Sequence, residues 1–125
     1  MANGELISSE YVVGLMEEYM NKSSKNIFLA DGFPRNEENI QVFTKLLGQS
    51  VDVRCLLLID ANRDEMLKRL LYRASTAKVK RDDDNPETIA KRINLYYDTT
   101  YPIFKNVFEK NGGNIVRVEA TQGTI

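Results

Sequence analysis

Two apolar runs, each ended by an aspartate, constrain the fold of this chain more than any other feature. The segment 26–31 reads NIFLAD, and the segment 51–60, VDVRCLLLID, finishes as an unbroken apolar run. Strands that are apolar on both faces belong to parallel sheets whose two faces are covered. A last strand is predicted over NIVRVEA near the end of the chain. Helical patterns alternate with these strands, so we expect an α/β fold in which helices flank a parallel sheet.

Several segments have the apolar period and the end residues of helices. One helix is predicted to begin at Ser8 or Ser9, and a second is NEENIQVFTKLLG, with acids at its start and a glycine at its end. The third, NRDEMLKRLLYR, carries an apolar stripe. In the fourth, NPETIAKRINLYY, Asn85 is the predicted cap and Pro86 the first helical residue. A further helix is expected to restart at Thr99 or Thr100 and Pro102.

Composition excludes several classes of function. The 125 residues suit one compact domain or part of a larger one, and a net charge of −1 gives no general attraction to nucleic acid or membrane. No apolar stretch approaches the roughly 20 residues of a membrane span. The absence of histidine excludes histidine catalysis and histidine metal sites. The single Cys55 excludes an internal disulfide, indicates a reducing intracellular setting, and is expected to be a small apolar residue within a strand.

The residues that follow the first strand are suited to binding an anion. In parallel sheets, ligands bind beyond the carboxyl ends of the strands, and Asp31, Gly32 and Arg35 lie at such an end. Glycine lets the backbone approach a ligand closely, and Pro34 stiffens the turn. The planar guanidinium of Arg35 matches the geometry of a phosphate group. The residues alone therefore predict an anion site at this turn.

A second basic cluster surrounds the charged segment ASTAKVKRDDD, which is predicted to be a loop because it lacks apolar periodicity. Arg69 and Arg73 are four residues apart on a helix, where two like charges repel unless an anion lies between them. Arg81 and Arg92 flank the Asp82–Asp84 run. This pattern is typical of a lid that closes over phosphates. Solvated arginines beside a core, or a calcium site on the aspartates, are the alternatives.

Motifs in the same order and spacing are found in a known family. FLADGFPRNEEN resembles the signature of the nucleoside monophosphate kinases, the adenylate kinase and UMP-CMP kinase group, and RDDDNPETIAKR resembles the lid exit of that family. GELISSE, YYDTTYPIF and IVRVEA extend the resemblance over nearly the whole chain. The resemblance implies an incomplete fold of the P-loop kinase type, because no G-x-x-x-x-G-K-[ST] motif occurs. It divides the chain into core residues 1–72, a short lid at 73–85 that lacks the family's glycines, and core residues 86–125.

The resemblance assigns acceptor roles to the first half of the chain. Asp31 corresponds to the acid that orients Mg²⁺ through water, and Arg35 to the arginine that binds the α-phosphate of the acceptor. Asn39 occupies the position that reads the base, where UMP-CMP kinases have Asn and adenylate kinases usually Gln; a plain surface asparagine is the alternative. The remaining acceptor residues are the turn, with a cis peptide before Pro34, and the backbone before the first helix: Gly32, Phe33, Pro34, Glu5, Leu6 and Ile7.

The resemblance also assigns the donor site and the lid. Arg69 is expected to stack on the adenine of ATP, with the segment from Ala120 to Gln122 beside it. Arg73, Arg81 and Arg92 are expected to clamp the transferring phosphates, the last two also contacting the acceptor. Asp83 and Asp84 are expected to hold the closed lid through those arginines. The implied catalytic residues are therefore Arg35, Arg73, Arg81, Arg92, Asp83 and Asp84.

The function implied is phosphoryl transfer from ATP, with Mg²⁺, to UMP or CMP. Adenylate kinase activity on AMP, and a non-catalytic nucleotide-binding or structural fragment, are the alternatives. Because the phosphate-binding loop and its lysine do not occur among these residues, we expect negligible activity from the chain alone. An incomplete sheet exposes backbone groups and apolar surface, so we expect self-association. No nucleic acid or membrane partner is expected, and the location expected is the cytoplasm.

Overall fold

The computed structural model describes residues 7–79, 81, 84–110 and 112–122. These residues form two compact units that divide between Val53 and Arg54. We call them the N-terminal unit and the C-terminal unit. No helix among the described residues is long and apolar enough to cross a membrane.

The N-terminal unit is built from two helices that pack against each other, α1 (Ser9–Lys22) and α2 (Glu37–Leu47). Their starts follow from side-chain capping, because the Ser8 hydroxyl accepts a hydrogen bond from the Tyr11 N–H, and the Asn36 side chain accepts one from Asn39. Val13 of α1 and Leu47 of α2 are buried. The predicted start at Ser8 or Ser9 and the predicted end at Gly48 are confirmed.

The segment 26–31, predicted as a buried strand, is neither a strand nor buried in the described structure. Ile27 is 92% exposed and Leu29 is 86% exposed. Phe28 is half-buried, with its ring 6.3 Å from that of Tyr19. The prediction is wrong because a strand needs a neighbour to satisfy its backbone groups, and no described strand pairs with this segment.

The C-terminal unit contains a parallel pair of strands, β1 (Leu56–Asp60) and β2 (Ile115–Glu119), in the register Leu56↔Ile115 to Asp60↔Glu119. The predicted last strand is thus confirmed, and the second predicted strand is shorter than residues 51–60. Helix α3 (Arg63–Thr76) follows β1 and packs against α4 (Pro86–Leu95). Asn85 caps α4, with Pro86 at its first turn, as predicted.

The predicted helix restart near Thr99 and Pro102 is wrong, because the helix does not stop. After α4, a π-helical segment Tyr96–Thr100, the short α5 (Tyr101–Ile103) and a second π-helical segment Phe104–Glu109 continue without a break. The Tyr101 N–H donates to the carbonyl of Tyr96, five residues earlier. The wider π-helical turn accommodates Pro102, whereas an ordinary α-helix tolerates proline only in its first turn.

One face of the two-stranded sheet is bare. The expectation that β1 is buried on both faces is wrong, and so is the expectation that Cys55 lies inside a strand, since Cys55 is exposed and precedes β1. The apolar stripe of α3 is also only partly covered. The bare sheet face consists of four aliphatic residues that are 43% to 61% exposed: Leu57, Ile59, Val116 and Val118. The buried residues of this unit include Ile89, Ile93 and Ile103.

Candidate functional site

The turn at residues 31–35 is held by a contact between its own residues. Gly32 has a φ of +70°, which glycine adopts without strain, and a Cβ placed on it would lie 2.9 Å from Nη2 of Arg35. The Nε–H of Arg35 donates to the Gly32 carbonyl over 2.8 Å. The peptide between Phe33 and Pro34 is cis, as the resemblance implied. The Phe33 ring lies 5.7 Å from the ring of Phe43 on α2, which fixes the turn on that helix.

Asn39, in the first turn of α2, is buried beneath this turn. It is 7% exposed, its Oδ1 accepts from the Arg35 N–H over 2.9 Å, and its Nδ2 donates to the Ser9 hydroxyl over 2.9 Å. The Ser9 hydroxyl in turn donates to Oε2 of Glu38 over 2.6 Å. The alternative of a plain surface asparagine is therefore excluded. Its assignment as the residue that reads the base stays a prediction.

The other acceptor residues of the N-terminal unit are accessible. Asp31, Gly32 and Arg35 are exposed, and Ile7 is also exposed at the start of the described chain. Glu5 and Leu6 lie outside the described residues. An exposed carboxylate and guanidinium within one five-residue turn suit a ligand that combines an anion with a hydrated cation.

Helix α3 brings Arg69 to the segment that follows β2. Its Nη2 donates to the Ala120 carbonyl over 2.7 Å, and its Nε donates to Oε1 of Glu65 over 2.7 Å. Gln122 is exposed two residues further on. The structure therefore places Arg69 beside the Ala120–Gln122 segment, two features that the resemblance assigned to one nucleotide site.

One turn later on α3, Arg73 pairs with Asp84. Nη2 of Arg73 lies 2.9 Å from Oδ1 of Asp84, whose Oδ2 accepts from the Arg81 N–H over 3.2 Å. The Asp84 side chain is 1% exposed, and the hydrogen bond from Arg73 holds the pKa of its carboxyl below the usual value. Nε of Arg73 is buried and has no hydrogen-bond partner among the described residues. Arg81 and Arg92 are exposed, and Asp83 lies outside the described residues.

A cavity of 410 Å³ opens at the carboxyl ends of β1 and β2, and the sequence analysis did not foresee it. Asp60 and Arg117 form an ion pair at its edge. The guanidinium of Arg63 lies over the Tyr97 ring, 5.9 Å from its centre. The signal that could have found it is Asp60, a carboxylate that ends an apolar strand as Asp31 does. The lining residues are Asp60, Ala61, Asn62, Arg63, Tyr97, Tyr101, Arg117, Glu119 and Thr121.

Burial and charge around this cavity shift the ionisation of nearby side chains. Burial, followed by the nearby Asp60 carboxylate, raises the pKa of Tyr96 to about 12. Burial likewise raises the pKa of Tyr97. The hydrogen bond to Asp60 raises the pKa of Arg117.

The carboxylates fit a magnesium ion that is held mainly by phosphates. No group of three or more aspartates, glutamates or cysteines lies close enough to form a metal site among the described residues. Mg²⁺ is usually bound through one or two carboxylates, several waters and substrate phosphates. The exposed carboxylate of Asp31, four residues before Arg35, suits contact with such an ion through water.

Comparison with known proteins identifies the family to which this chain belongs. Residues 1–112 match the adenylate kinase family. The chain therefore belongs to the adenylate kinase family. It is 38% identical over 112 residues to "UMP-CMP kinase 1" of Oryza sativa subsp. japonica, covering 90% of this chain and 43% of that protein.

Two animal UMP-CMP kinases are also similar to the chain, at comparable sequence identity. The chain is 36% identical over 124 residues to the UMP-CMP kinase of Gallus gallus and 32% identical over 124 residues to that of Homo sapiens. Each alignment covers 95% of this chain and 61% of the relative. The chain thus spans less than two thirds of the length of the curated relatives it matches.

Proposed function

We propose that this chain is the part of a nucleoside monophosphate kinase that binds the acceptor and closes over the phosphates, in transfer from ATP to UMP or CMP. One observation carries the proposal: Arg69 and Arg73, one turn apart on α3, contact Ala120 and Asp84. These contacts bring the two arginines to segments that the resemblance assigned to the adenine site and to the lid. Membership of the adenylate kinase family supports the same function.

On the donor side, the arginines supply positive charge for the phosphates. Phosphoryl transfer depends mainly on holding the reactants in line and neutralising charge on the phosphoryl oxygens. Arg73 keeps a buried Nε–H without a described partner while its Nη2 binds Asp84. Asp84 thereby orients the Arg73 guanidinium. Arg81 and Arg92 complete the clamp in this proposal.

On the acceptor side, Arg35 binds the α-phosphate of the monophosphate. Its Nε–H donates to the Gly32 carbonyl, which ties the guanidinium to the acceptor turn. Mg²⁺, when bound with ATP, neutralises phosphate charge, and Asp31 orients its waters. Asn39 has one further amide N–H and one further lone pair beyond its described hydrogen bonds, which suit the donor and acceptor edge of a pyrimidine.

Calorimetry with UMP, CMP, AMP and ATP tests the acceptor assignment. We expect UMP and CMP to bind more tightly than AMP, and Arg35→Ala to weaken binding of all three monophosphates. The matched control is Lys45→Ala, which removes a positive charge near the end of α2 in the same unit. Preference for AMP would favour the adenylate kinase alternative. Equal losses in both variants would contradict the role of Arg35.

The donor assignment is tested on α3 with ATP. We expect Arg69→Ala to weaken ATP binding and Lys68→Ala, one residue away and highly exposed, to leave it unchanged. Monophosphate binding together with no detectable ATP binding would support the non-catalytic module instead. The isolated chain is expected to have negligible turnover in a coupled kinase assay. Turnover near that of a complete enzyme would refute this last expectation.

The bare sheet face supports self-association of the chain. Four exposed aliphatic side chains lie on one side of a two-stranded sheet, which is an aggregation-prone arrangement. Sedimentation velocity is expected to show dimers or larger species for the unaltered chain and fewer for Val118→Lys. A monodisperse monomer for the unaltered chain would contradict the proposal. A cytoplasmic location is part of the same proposal, supported by the single cysteine.

A further inference from the structure

A chain of three hydrogen bonds joins the start of α1, the first turn of α2 and the backbone of Arg35. The Arg35 N–H donates to Oδ1 of Asn39 over 2.9 Å, and Nδ2 of Asn39 donates to the Ser9 hydroxyl over 2.9 Å. The hydroxyl donates to Oε2 of Glu38 over 2.6 Å. Ser9 is 1% exposed, so water cannot readily replace these contacts. We call these bonds the Glu38–Ser9–Asn39 relay.

The direction of every bond in the relay is fixed by its two ends. A backbone N–H, here that of Arg35, can only donate, so the atom of Asn39 that faces it is the oxygen. The Ser9 hydroxyl has one hydrogen, which it donates in a hydrogen bond to the Glu38 carboxylate, so it accepts from the Asn39 amide. The asparagine side chain therefore has one allowed orientation. An Asn39 amide flipped by 180° would place its Nδ2 donor against the Arg35 N–H, which is also a donor.

The relay departs from an ordinary helix cap in a way that concerns the turn. In a capping box, the third helical residue reaches back to the N–H of the cap residue. Here the cap is Asn36, and Asn39 reaches one residue further back, to Arg35. The amide thus restrains the residue that presents the guanidinium. A further contact of Arg35 is the hydrogen bond from its Nε to Gly32.

We propose that Ser9 and Glu38 are positioning residues of the acceptor turn, acting through Asn39 to hold the backbone of Arg35. Ser9 fixes the Asn39 amide, and Glu38 fixes the Ser9 hydroxyl. The importance of Arg35 for nucleotide binding rests on the proposed function. The restraint on the Arg35 backbone does not, so the two are measured separately.

The first measurement is hydrogen exchange of the Arg35 amide, followed by NMR in the full 125-residue chain. We expect exchange to be about tenfold faster in Ser9→Ala and Glu38→Ala, because loss of one relay bond loosens the next. Glu38→Gln retains a carbonyl acceptor and is expected to restore most of the protection. Glu37→Ala removes the same charge from the same helix turn without touching the relay, and is expected to leave Arg35 unchanged.

The second measurement is the affinity of each variant for UMP, by titration calorimetry. Weaker binding in Ser9→Ala and Glu38→Ala, with rescue by Glu38→Gln, supports both the relay and the role of Arg35. Faster Arg35 exchange with no UMP binding in any variant supports the relay and refutes the proposed function. Unchanged Arg35 exchange in Glu38→Ala, an exposed position where folding is retained, overturns the relay. Equal effects of Glu37→Ala and Glu38→Ala on exchange overturn it as well.

Discussion

The two units hold their candidate functional residues by contacts of different range. In the N-terminal unit, Arg35 is bound by Gly32 and Asn39, three and four residues away. In the C-terminal unit, Arg73 meets Asp84 eleven residues away, and Arg69 meets Ala120 across 51 residues. The direct contacts of Arg35 are therefore local, although Ser9 supports Asn39 from 30 residues away. The arginines of α3 depend on the whole unit being folded.

The units also differ in what remains uncovered. The N-terminal unit leaves an extended apolar segment without any described strand partner, and its Ile27 is almost fully exposed. The C-terminal unit keeps one parallel strand pair and leaves only one face of it bare. The buried residues of that unit include Ile89 and Ile93. Apolar sequence alone does not decide burial, because a neighbour must be present.

The largest expected effect contrasts two isoleucines, one in each unit. Ile89 is 0% exposed, and Ile89→Ala is expected to lower the free energy of unfolding by about 3 kcal/mol, from lost burial and a cavity. Ile27→Ala is expected to change it by about 0.5 kcal/mol or less. Urea unfolding followed by circular dichroism measures both. A substantial loss in Ile27→Ala would show that the segment 26–31 is buried in solution.

The second effect contrasts two glycines within the N-terminal unit. Gly32→Ala is expected to destabilise by about 1–2 kcal/mol, because its φ is positive and its new Cβ would press on the Arg35 guanidinium. Gly14→Ala is expected to stabilise α1 by about 0.5–1 kcal/mol, because it lies in a helix interior with nothing within 4 Å of the new Cβ. Thermal unfolding measures the two shifts. Shifts of the same sign would contradict the local account of the turn.

Local signals predicted the helix starts because capping needs only a few neighbouring residues. Ser8, Asn36 and Asn85 cap α1, α2 and α4, each at the start of a predicted helix, and Asn85 was itself predicted as a cap. The prediction of a strand at 26–31 failed for the opposite reason, since a strand is stable only when it pairs with a second strand that is distant in sequence. The prediction of a new helix start near Pro102 failed because π-helical turns continue the helix through this region. The apolar periodicity of the sequence does not reveal such turns.

Contacts of the candidate site could be predicted where a sequence motif indicates them. Contacts that form only when separate elements pack together could not. The contacts of Arg69 with Ala120, and of Arg73 with Asp84, agree with the arrangement that the resemblance implied. The part played by Ser9 could not be read from the sequence, because its hydroxyl meets Asn39 only when α1 and α2 pack. The Asp60–Arg117 pair likewise depends on the parallel register of β1 and β2.

A third, smaller effect tests the longer-range contact of Arg73 with Asp84. The lowered pKa of Asp84 means that the folded state favours its charged form, so the stabilisation is present above the unfolded pKa, near 3.8. It is lost as the pH falls through the folded pKa. Asp84→Asn is therefore expected to be less stable than the unaltered chain at neutral pH, with the difference vanishing in strong acid.

Urea unfolding of Asp84→Asn and the unaltered chain from pH 7 to pH 2 measures this difference. A double-mutant cycle with Arg73→Met is the control, because Asp84→Asn should cost less once its partner is absent. A difference that stays constant down to the lowest pH would show that the Asp84 carboxylate is not the stabilising species.

The smallest effect concerns an ion pair that is both local and exposed. Lys22 and Glu18, four residues apart on α1, form a salt bridge in which both side chains are mostly in solvent. Lys22→Ala is expected to cost about 0.3 kcal/mol, and less in high salt, because water and ions screen exposed charges. Thermal unfolding with and without added salt measures it. If Lys22→Ala costs as much as Asp84→Asn at neutral pH, then burial of the Asp84 carboxylate adds nothing to its ion pair, and the contrast between local and long-range contacts fails at its weakest point.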